Sequence, residues 1–296
     1  MKFLMIFNPH ASHKRAMKLI DPIKNYFAES GNELYLELTK YSGNGIEITE
    51  ETDLSGFDGI IAAGGDGTTF EVLNGYFRNQ SSKKPPFGLV PTGTGNAFAR
   101  EFGLNSNDWK RAVDRICNNN LQSVDVGKFQ TGGDIYYFVN ILGFGFVADV
   151  ANSGHKLKAI GEIAYSLAVF YELIRLDSYK LKMYIDGQII ERDNIFVEIS
   201  NTKYTGVSFL MAPDAEADDG LLDVTILNKC TRRRILKLFP TIFKGLHIHE
   251  QEVETYKVRK IRLETEYPKI LTPDGELLGS TPIEVECLEK ALQIFG

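Results

Sequence analysis

Short apolar runs alternate with stretches of helical spacing over residues 1–124. This alternation is typical of a parallel sheet in which helices connect buried strands, and it predicts a Rossmann-like α/β domain. The predicted strands are Phe3–Phe7, Leu34–Thr39, Gly59–Ala63 and Phe87–Val90. The predicted helices are Met17–Phe27, Ala97–Phe102 and Trp109–Cys117.

Strand-like runs dominate from residue 125 onward, and Gly, Asp and Asn turns separate several of them. This pattern predicts a second domain over residues 125–296, a β-sandwich, with helices near His155–Leu176 and Thr231–Leu246. A return of Ala291–Phe295 to the first domain stays open. The predicted strands are Ser123–Phe129, Ile135–Leu142, Tyr179–Ile185, Gln188–Ser200, Leu221–Leu227, Tyr256–Glu264 and Ile283–Cys287.

The composition excludes several classes of protein. A net charge of −6 argues against a nucleic-acid-binding protein, whose surface would be strongly basic. The three cysteines, Cys117, Cys230 and Cys287, are too far apart for a disulfide framework or a zinc motif, which favours the reducing cytoplasm. No stretch approaches the roughly 18 apolar residues that span a bilayer, so we expect no transmembrane segment.

The most informative run follows the predicted strand Gly59–Ala63, where the apolar residues stop at Gly64 and Gly65. Asp66 and Gly67 come next, and a stretch of helical composition follows. Glycines let a backbone approach a ligand closely, and the free N–H groups at a helix start attract phosphate. Because a carboxylate cannot donate to phosphate, Asp66 is better suited to hold Mg²⁺ or a reacting hydroxyl.

A second loop of small residues follows the strand Phe87–Val90. The small residues Thr92, Gly93 and Thr94 would let a nucleotide lie against the backbone. The hydroxyls of the two threonines can bond phosphate or ribose. The alternative is an ordinary βα turn whose helix Asn96 caps. Two such loops at the carboxyl ends of neighbouring strands favour one nucleotide site.

These motifs resemble a known family. The run Gly64–Thr68 resembles the GGDGT signature of diacylglycerol, sphingosine and ceramide kinases, NAD kinases and phosphofructokinases. Glu71, Val72, Asn74 and Gly75 extend it as in the lipid kinases. Phe70 departs from the Asn of many members. The resemblance implies ATP contacts from Asn8, Thr39, Gly64, Gly65, Asp66, Gly67, Thr68, Thr69, Phe70, Thr92, Gly93 and Thr94.

Two carboxylates, Asp274 and Glu276, flank Gly275 in a segment that otherwise reads as a plain hairpin turn. The segment resembles the catalytic D-G-E of the family, in which one carboxylate accepts the proton of the attacking hydroxyl. We favour Glu276 as this base, with Asp274 orienting it or holding a cation, although the reverse assignment stays open. Asp66 would complete the catalytic set by positioning the γ-phosphate with Mg²⁺.

Four acids crowd residues 214–219, and such a cluster is either solvated or neutralised by a cation. The segment resembles a family loop that binds a structural Mg²⁺ apart from the nucleotide. Carried over, Asp219 supplies a carboxylate, and Glu216 and Leu221 supply carbonyl oxygens.

Other segments are open to two interpretations. Residues 231–246 form a basic amphipathic pattern that fits either a membrane-surface helix or a core-packed helix with a basic outer face. The run Gly161–Tyr165 resembles a family helix that packs between domains, and Lys156 and Lys158 before it could face phosphates.

The sequence therefore predicts an ATP- and Mg²⁺-dependent kinase of a lipid hydroxyl, most plausibly of diacylglycerol or a related lipid. We expect it to work in the cytoplasm at the membrane surface, without nucleic acid, and a homodimer stays open. Residues 1–124 would bind the nucleotide, and residues 125–296 would bind the lipid and the structural metal. The alternatives are an NAD kinase-like enzyme and a catalytically silent nucleotide or lipid sensor.

Overall fold

A computed structural model describes residues 1–156, 171–206 and 209–296. The chain divides into two compact units. The N-terminal unit consists of Met1–Val124 together with Lys290–Gly296, and the C-terminal unit consists of Asp125–Glu289. In the described part of the chain, no helix is long and apolar enough to cross a bilayer.

A parallel sheet forms the centre of the N-terminal unit. Its strands are β1 (Lys2–Phe7), β2 (Glu33–Leu38), β3 (Gly59–Gly64) and β4 (Phe87–Pro91), in the order β4-β3-β1-β2. All six residues of β3 are buried, whereas β2 at the edge is largely exposed. Because the strands are parallel, their carboxyl ends lie at one edge of the sheet, which is where the predicted nucleotide loops begin.

The C-terminal residues complete this sheet. Strand β16 (Ile283–Phe295) ends beside β4, where Ile294 lies opposite Phe87 in parallel register. The ring of Phe295 packs edge-on against Phe3, with 6.0 Å between the ring centroids.

The helices of this unit are α1 (Ile20–Glu29), α2 (Asn44–Glu51), α3 (Asp66–Arg78), α4 (Ala97–Glu101) and α5 (Trp109–Asn118), with 3₁₀ helices at Ala11–Leu19 and Leu54–Gly56. The predicted helix Met17–Phe27 was placed too early, because a 3₁₀ helix occupies its first turn. The short helix α2 was missed, since its residues give no clear apolar stripe and its N-cap is a glycine.

Helix α2 is held against α3 by the lipid-kinase extension of the glycine loop. The Glu71 carboxylate accepts the backbone N–H of Gly43 at 2.7 Å and of Gly45 at 2.9 Å, which satisfies N–H groups at the start of α2. A Cβ on Gly75 would lie 2.5 Å from the carbonyl oxygen of Ile46, so only glycine permits this helix contact. In this structure Glu71 and Gly75 therefore hold a helix in place.

The C-terminal unit is built from antiparallel strands. They are β5 (Leu121–Thr131), β6 (Asp134–Phe138), β7 (Ile141–Gly145), β8 (Tyr179–Ile185), β9 (Gln188–Ser200), β10 (Tyr204–Thr205), β11 (Phe209–Leu210), β12 (Leu222–Asn228), β13 (Val253–Val258), β14 (Lys260–Thr265), β15 (Leu271–Pro273) and the start of β16. Their main path is β13-β12-β9-β8-β14-β16, and β7 pairs with both β9 and β15. The core between them includes Phe129, Phe138, Leu181, Val197 and Val224.

Helices α6 (Phe146–Lys156) and α7 (Arg232–Ile242) border a second apolar cluster, which includes Phe196, Leu227, Ile235 and Leu238. Helix α7 is shorter than the predicted Thr231–Leu246, and Thr231 is its N-cap. The predicted helix His155–Leu176 falls mostly on residues 157–170, which lie outside the described residues. The described helix that overlaps its start, α6, begins earlier, at Phe146.

Two predicted strands are each divided in two. The run Ile135–Leu142 breaks between β6 and β7, because backbone N–H groups at the break donate to a buried carboxylate. The run Tyr256–Glu264 breaks at Arg259, since β13 pairs with β12 while β14 pairs with β8 and β16. Both breaks leave a trace in the sequence. Asn140 interrupts the first run, and in the second the apolar positions shift from Tyr256 and Val258 to Ile261 and Leu263.

Replacing Glu71 by Ala should lower the free energy of unfolding by about 2 kcal/mol, because two charge-assisted hydrogen bonds are lost at the start of α2. Urea unfolding followed by circular dichroism measures this difference. Glu51→Ala, which removes an exposed acid from α2 itself, is the matched control. Equal midpoints for the two variants would show that Glu71 does not hold α2.

Candidate active site

The two glycine loops of the N-terminal unit lie backbone against backbone. The backbone N–H groups of Thr92 and Gly93 both donate to the carbonyl of Gly64, at 2.9 and 3.0 Å. A Cβ on Gly93 would lie 2.3 Å from the Cα of Gly65, so a side chain there would force the loops apart. The close approach leaves an edge of bare backbone beside the start of α3, which suits a phosphate chain.

Polar atoms without partners line the second loop. The hydroxyl of Thr92 and the side-chain oxygen of Asn96 are buried, and neither has a hydrogen-bond partner in the described structure. The sequence offered Asn96 as the cap of α4, but its side chain does not cap that helix. The Asn96 amide instead donates to the carbonyl of Gly93 and to Ser106. Thr94 is exposed. Unsatisfied atoms beside bare backbone are where the hydroxyls and phosphates of a ligand can bind.

Asp66 lies at the first position of α3, and its carboxylate faces the start of α4. Desolvation raises its pKa to about 6, and this effect is opposed by backbone N–H groups of Ala97, Phe98 and Asn96 that donate to the carboxylate. A Cβ on Gly95 would lie 2.8 Å from its Oδ2 atom. The fold therefore fixes Asp66 between the two glycine loops.

Asn8 and Thr39 follow β1 and β2 at the same edge of the sheet. The Asn8 amide donates to the hydroxyl of Thr68 at 3.2 Å, which connects the end of β1 to the first turn of α3. Thr39 is buried and donates its N–H to the carbonyl of Phe7. Ser12 donates its hydroxyl to the carbonyl of Thr92 at 2.7 Å, so it braces the second loop.

The predicted contacts from the first turns of α3 differ in accessibility. Gly67 is half-buried, whereas Thr68 and Thr69 are buried. Phe70 is only 4% exposed and packs within the N-terminal unit, so its ring is not presented to the loop surface.

Asp274 is held in a nest of backbone donors in the C-terminal unit. Its carboxylate accepts the N–H groups of Val139 at 3.1 Å, and of Asn140 and Ile141 at 2.9 Å each. These are the donors freed by the break between β6 and β7. Asp274 is 7% exposed and has a positive φ of 46°, so the tight turn is fixed by its own side chain.

Glu276 contrasts with its neighbour. It is half-buried, and its backbone N–H donates to the carbonyl of Pro273 at 2.8 Å. Within the described residues, its carboxylate has no hydrogen bond or ion pair. A carboxylate that is oriented by a rigid turn yet not engaged is able to accept a proton from a ligand.

The acidic loop at 214–219 already contacts a positive charge. The Lys257 ammonium group donates to Asp219 at 2.9 Å and to the carbonyl of Asp214 at 3.1 Å, and it lies 3.5 Å from a carboxylate oxygen of Asp223. The other oxygen of Asp219 accepts the N–H of Leu221 at 2.9 Å. Asp125, which is fully buried, anchors the loop by accepting the N–H of Gly220.

This geometry bears on the predicted structural Mg²⁺ ligands Glu216, Asp219 and Leu221. Both carboxylate oxygens of Asp219 are engaged, whereas Glu216 and Leu221 are predicted to contribute backbone carbonyl oxygens, on which the exposed side chain of Glu216 has no bearing. The described residues contain no group of three or more His, Cys, Asp or Glu side chains placed to hold a metal. In this conformation the oxygen atoms of the loop fit an ammonium group better than a divalent ion. Glu216, Asp219 and Leu221 therefore remain predicted metal ligands.

An apolar cavity of about 60 Å³ lies in the C-terminal unit, between α6, α7 and strand β9. Aliphatic and aromatic side chains form most of its walls, among them Val150, Phe196, Met211, Leu238 and Phe239. Sequence analysis predicted the helix and the strand that contain α7 and β9 but placed the other helix later in the chain than α6, and it could not show that these elements line a common space.

The basic helix α7 is packed on the core. Ile235 and Leu238 are buried, and Arg234 pairs with Glu250 and Glu252 at 2.5 and 2.9 Å. Arg232 donates to the carbonyl of Leu173 at 3.0 Å. These contacts favour the core-packed interpretation of residues 231–246. Gly161–Tyr165 and Lys158 lie outside the described residues, as does the side chain of Lys156.

Two family models match the chain. The diacylglycerol kinase catalytic domain matches residues 2–129, and the YegS C-terminal NAD kinase beta sandwich-like domain matches residues 140–296. A diacylglycerol kinase of Mycobacterium tuberculosis is 31% identical over 81% of this chain and 77% of its own length. The corresponding protein of Bacillus subtilis is 29% identical over 98% of this chain and 94% of its own length.

A solved structure of a proposed diacylglycerol kinase from Bacillus anthracis is also similar. Its TM-score is 0.82 at 28% identity, and the match covers 99% of this chain and 96% of that one. Together with the family models, this likeness confirms the predicted fold class, an α/β domain followed by a β-sandwich domain.

Lys257→Met should destabilise the acidic loop by about 1 kcal/mol, or roughly 2–4 °C in Tm, since the ammonium is partly exposed and its charge pairs are screened. Mg²⁺ should then restore part of this loss, because it binds only the folded loop. The Tm of the wild-type protein should change little between EDTA and Mg²⁺. Differential scanning calorimetry in both buffers measures these changes, and Lys237→Met, an exposed lysine of α7, is the control. A wild-type Tm that rises with Mg²⁺ would instead support Glu216, Asp219 and Leu221 as metal ligands.

Proposed function

Because the chain belongs to the diacylglycerol kinase catalytic family and is a lipid kinase, we propose that it transfers the γ-phosphate of ATP to a hydroxyl group of diacylglycerol or a related lipid. Two separate observations support this proposal: a bare-backbone glycine cradle in the N-terminal unit, and an unengaged carboxylate on a tight turn in the C-terminal unit. The first is suited to a nucleotide and the second to a lipid hydroxyl.

The residues of the N-terminal unit fit ATP. Gly64, Gly65 and Gly93 form the cradle for the phosphates, and Thr92 has an unsatisfied hydroxyl for a phosphate or ribose oxygen. We further assign Asn8, Thr39, Gly67, Thr68, Thr69 and Thr94 to the border of the site. Phe70 would support it only through its backbone and its packing.

Asp66 is the charged residue of the cradle. Mg²⁺ bound with ATP would neutralise the phosphates and polarise the γ-phosphate, and the ionised Asp66 carboxylate is placed to orient that cation or the reacting hydroxyl. Either role requires the carboxylate to be unprotonated.

Glu276 is the proposed general base. The lipid hydroxyl oxygen attacks the γ-phosphorus, its proton passes to the Glu276 carboxylate, and ADP leaves from the opposite side. Asp274 is the positioning residue in this scheme, since it shares the turn with Glu276 and its carboxylate fixes that turn by bonding three backbone N–H groups. Its role is to hold the turn that presents Glu276.

The apolar cavity of the C-terminal unit supports a lipid acceptor. Its walls are mostly hydrophobic and suit an acyl chain, whereas an NAD kinase must bind a charged, hydroxyl-rich acceptor. Intact Asp66, Asp274 and Glu276 argue against a silent sensor. We further propose that the enzyme works in the cytoplasm and acts on lipid at the membrane surface.

Asp66→Asn should reduce kcat by roughly 10²-fold or more, because a charge that acts in the transition state is removed. The protein should still fold but with a lower Tm, since an amide accepts fewer of the backbone N–H groups at the start of α4. The wild-type rate should fall as the pH is lowered through about 6, where Asp66 takes up a proton. Initial rates with ATP, Mg²⁺ and a vesicle-borne diacylglycerol panel, from pH 5 to 8, measure both effects. Near-normal turnover by a folded Asp66→Asn protein would remove Asp66 from the mechanism.

Glu276→Gln should lower kcat strongly and leave ATP affinity nearly unchanged, since a general base acts chiefly in the transition state. Asp274→Asn should in addition lower the Tm, because an amide NH₂ cannot accept the backbone donors that the carboxylate holds. Steady-state kinetics, ATP titration and calorimetry on both variants separate these roles. If Glu276→Gln keeps most of its kcat while Asp274→Asn loses it, the assignment of the base is reversed.

A further inference from the structure

The apolar cavity contains one carboxyl group. Glu198 projects from β9, is 0% exposed and forms part of the cavity wall. Its Oε1 atom accepts a hydrogen bond from the hydroxyl of Thr205, whereas its Oε2 atom has no partner within hydrogen-bond distance in the described structure. Burial raises the pKa of this carboxyl to about 7, and the hydroxyls of Thr205 and Ser200 oppose this rise. The mostly apolar chamber is therefore lined by one carboxyl oxygen without a close partner among the described residues.

A histidine contributes a second unsatisfied atom to the same wall. The Nε2 atom of His247 lies 3.0 Å from the carbonyl oxygen of Met211, and since a carbonyl can only accept, Nε2 carries the proton. Burial lowers the pKa of the ring, which keeps it neutral. Its Nδ1 atom is therefore an acceptor, and within the described residues it has no donor.

These two atoms define what the cavity lacks. Nδ1 of His247 needs a donor, and Oε2 of Glu198 needs a donor when ionised or an acceptor when protonated. A hydroxyl group donates and accepts, so it can satisfy either atom in every protonation state. The remaining walls, such as Val150, Phe196 and Leu238, require the rest of the ligand to be apolar.

We propose that this cavity takes a segment of one lipid chain that carries a hydroxyl group, and that Glu198 and His247 recognise that hydroxyl. A volume of about 60 Å³ admits part of a single chain rather than two chains side by side. The preferred substrates would then be lipids with a hydroxylated chain. This inference rests on the proposed function for its catalytic consequence but not for the binding itself.

The proposal predicts selectivity. Wild-type protein should bind at least one monohydroxylated long-chain fatty acid about tenfold more tightly than the plain acid of equal length, which corresponds to about 1.4 kcal/mol. Glu198→Leu should abolish this preference, because it removes the polar partner while keeping an apolar wall. Glu198→Gln should keep it, since an amide also donates and accepts.

Displacement of a fluorescent fatty acid measures binding for a panel that differs only in hydroxyl position. The same pairs, built into diacylglycerols, give kcat/KM ratios. His247→Phe is the second variant and should reduce the preference as Glu198→Leu does. Exposed His249→Phe is its matched control, and calorimetry confirms that each variant is folded.

Three results would overturn the inference: equal binding of the hydroxylated and plain acids to wild type, a preference that survives in Glu198→Leu, or no displacement of the probe by any fatty acid. The first two results would mean that water alone forms hydrogen bonds with the unsatisfied atoms. Selective binding without phosphate transfer to any lipid would sustain the inference while removing the proposed function. Transfer to lipids without chain selectivity would do the opposite.

Discussion

The N-terminal site depends on the contact between two loops that have no side chains at their point of closest approach. The backbones of Gly65 and Gly93 are in direct contact, and the carbonyl of Gly64 accepts hydrogen bonds from two backbone N–H groups of the second loop. This contact fixes the distance between β3 and β4 beyond the ends of the strands. It also sets where Asp66 lies, because the carboxylate reaches the N–H groups of α4 only when the loops are this close.

Three carboxylates of this protein are held by backbone groups or by a counter-charge. Glu71 binds the start of α2, Asp274 binds three N–H groups between two strands, and Asp219 takes the Lys257 ammonium. These three carboxylates are parts of the framework. Glu276 differs because the described residues leave its carboxylate unengaged, so the two acids of one three-residue turn have different surroundings.

The strands and glycine loops of the N-terminal unit could be predicted from sequence because buried parallel strands are continuous apolar runs with glycine at their ends. The helix α2 could not, since its position comes from Glu71 on another helix, 26 residues away from Gly45. The divided strands at Val139 and Arg259 were missed although the sequence marks both breaks. Asn140 interrupts the first run, and the apolar alternation shifts by one residue across Arg259 and Lys260 in the second. Glu198, His247 and Lys257 carry no motif, and only the folded structure shows what surrounds them.

The path of β16 has a consequence for how the chain matures on the ribosome. Residues Lys290–Gly296 belong to the N-terminal unit, with Phe295 against Phe3 and Ile294 beside Phe87. Domains usually fold in order of synthesis as they emerge. Here the first unit to be made lacks one strand until residue 295 has left the exit tunnel, so the N-terminal unit must wait, with one edge of its sheet unpaired, for the translation of the C-terminal unit.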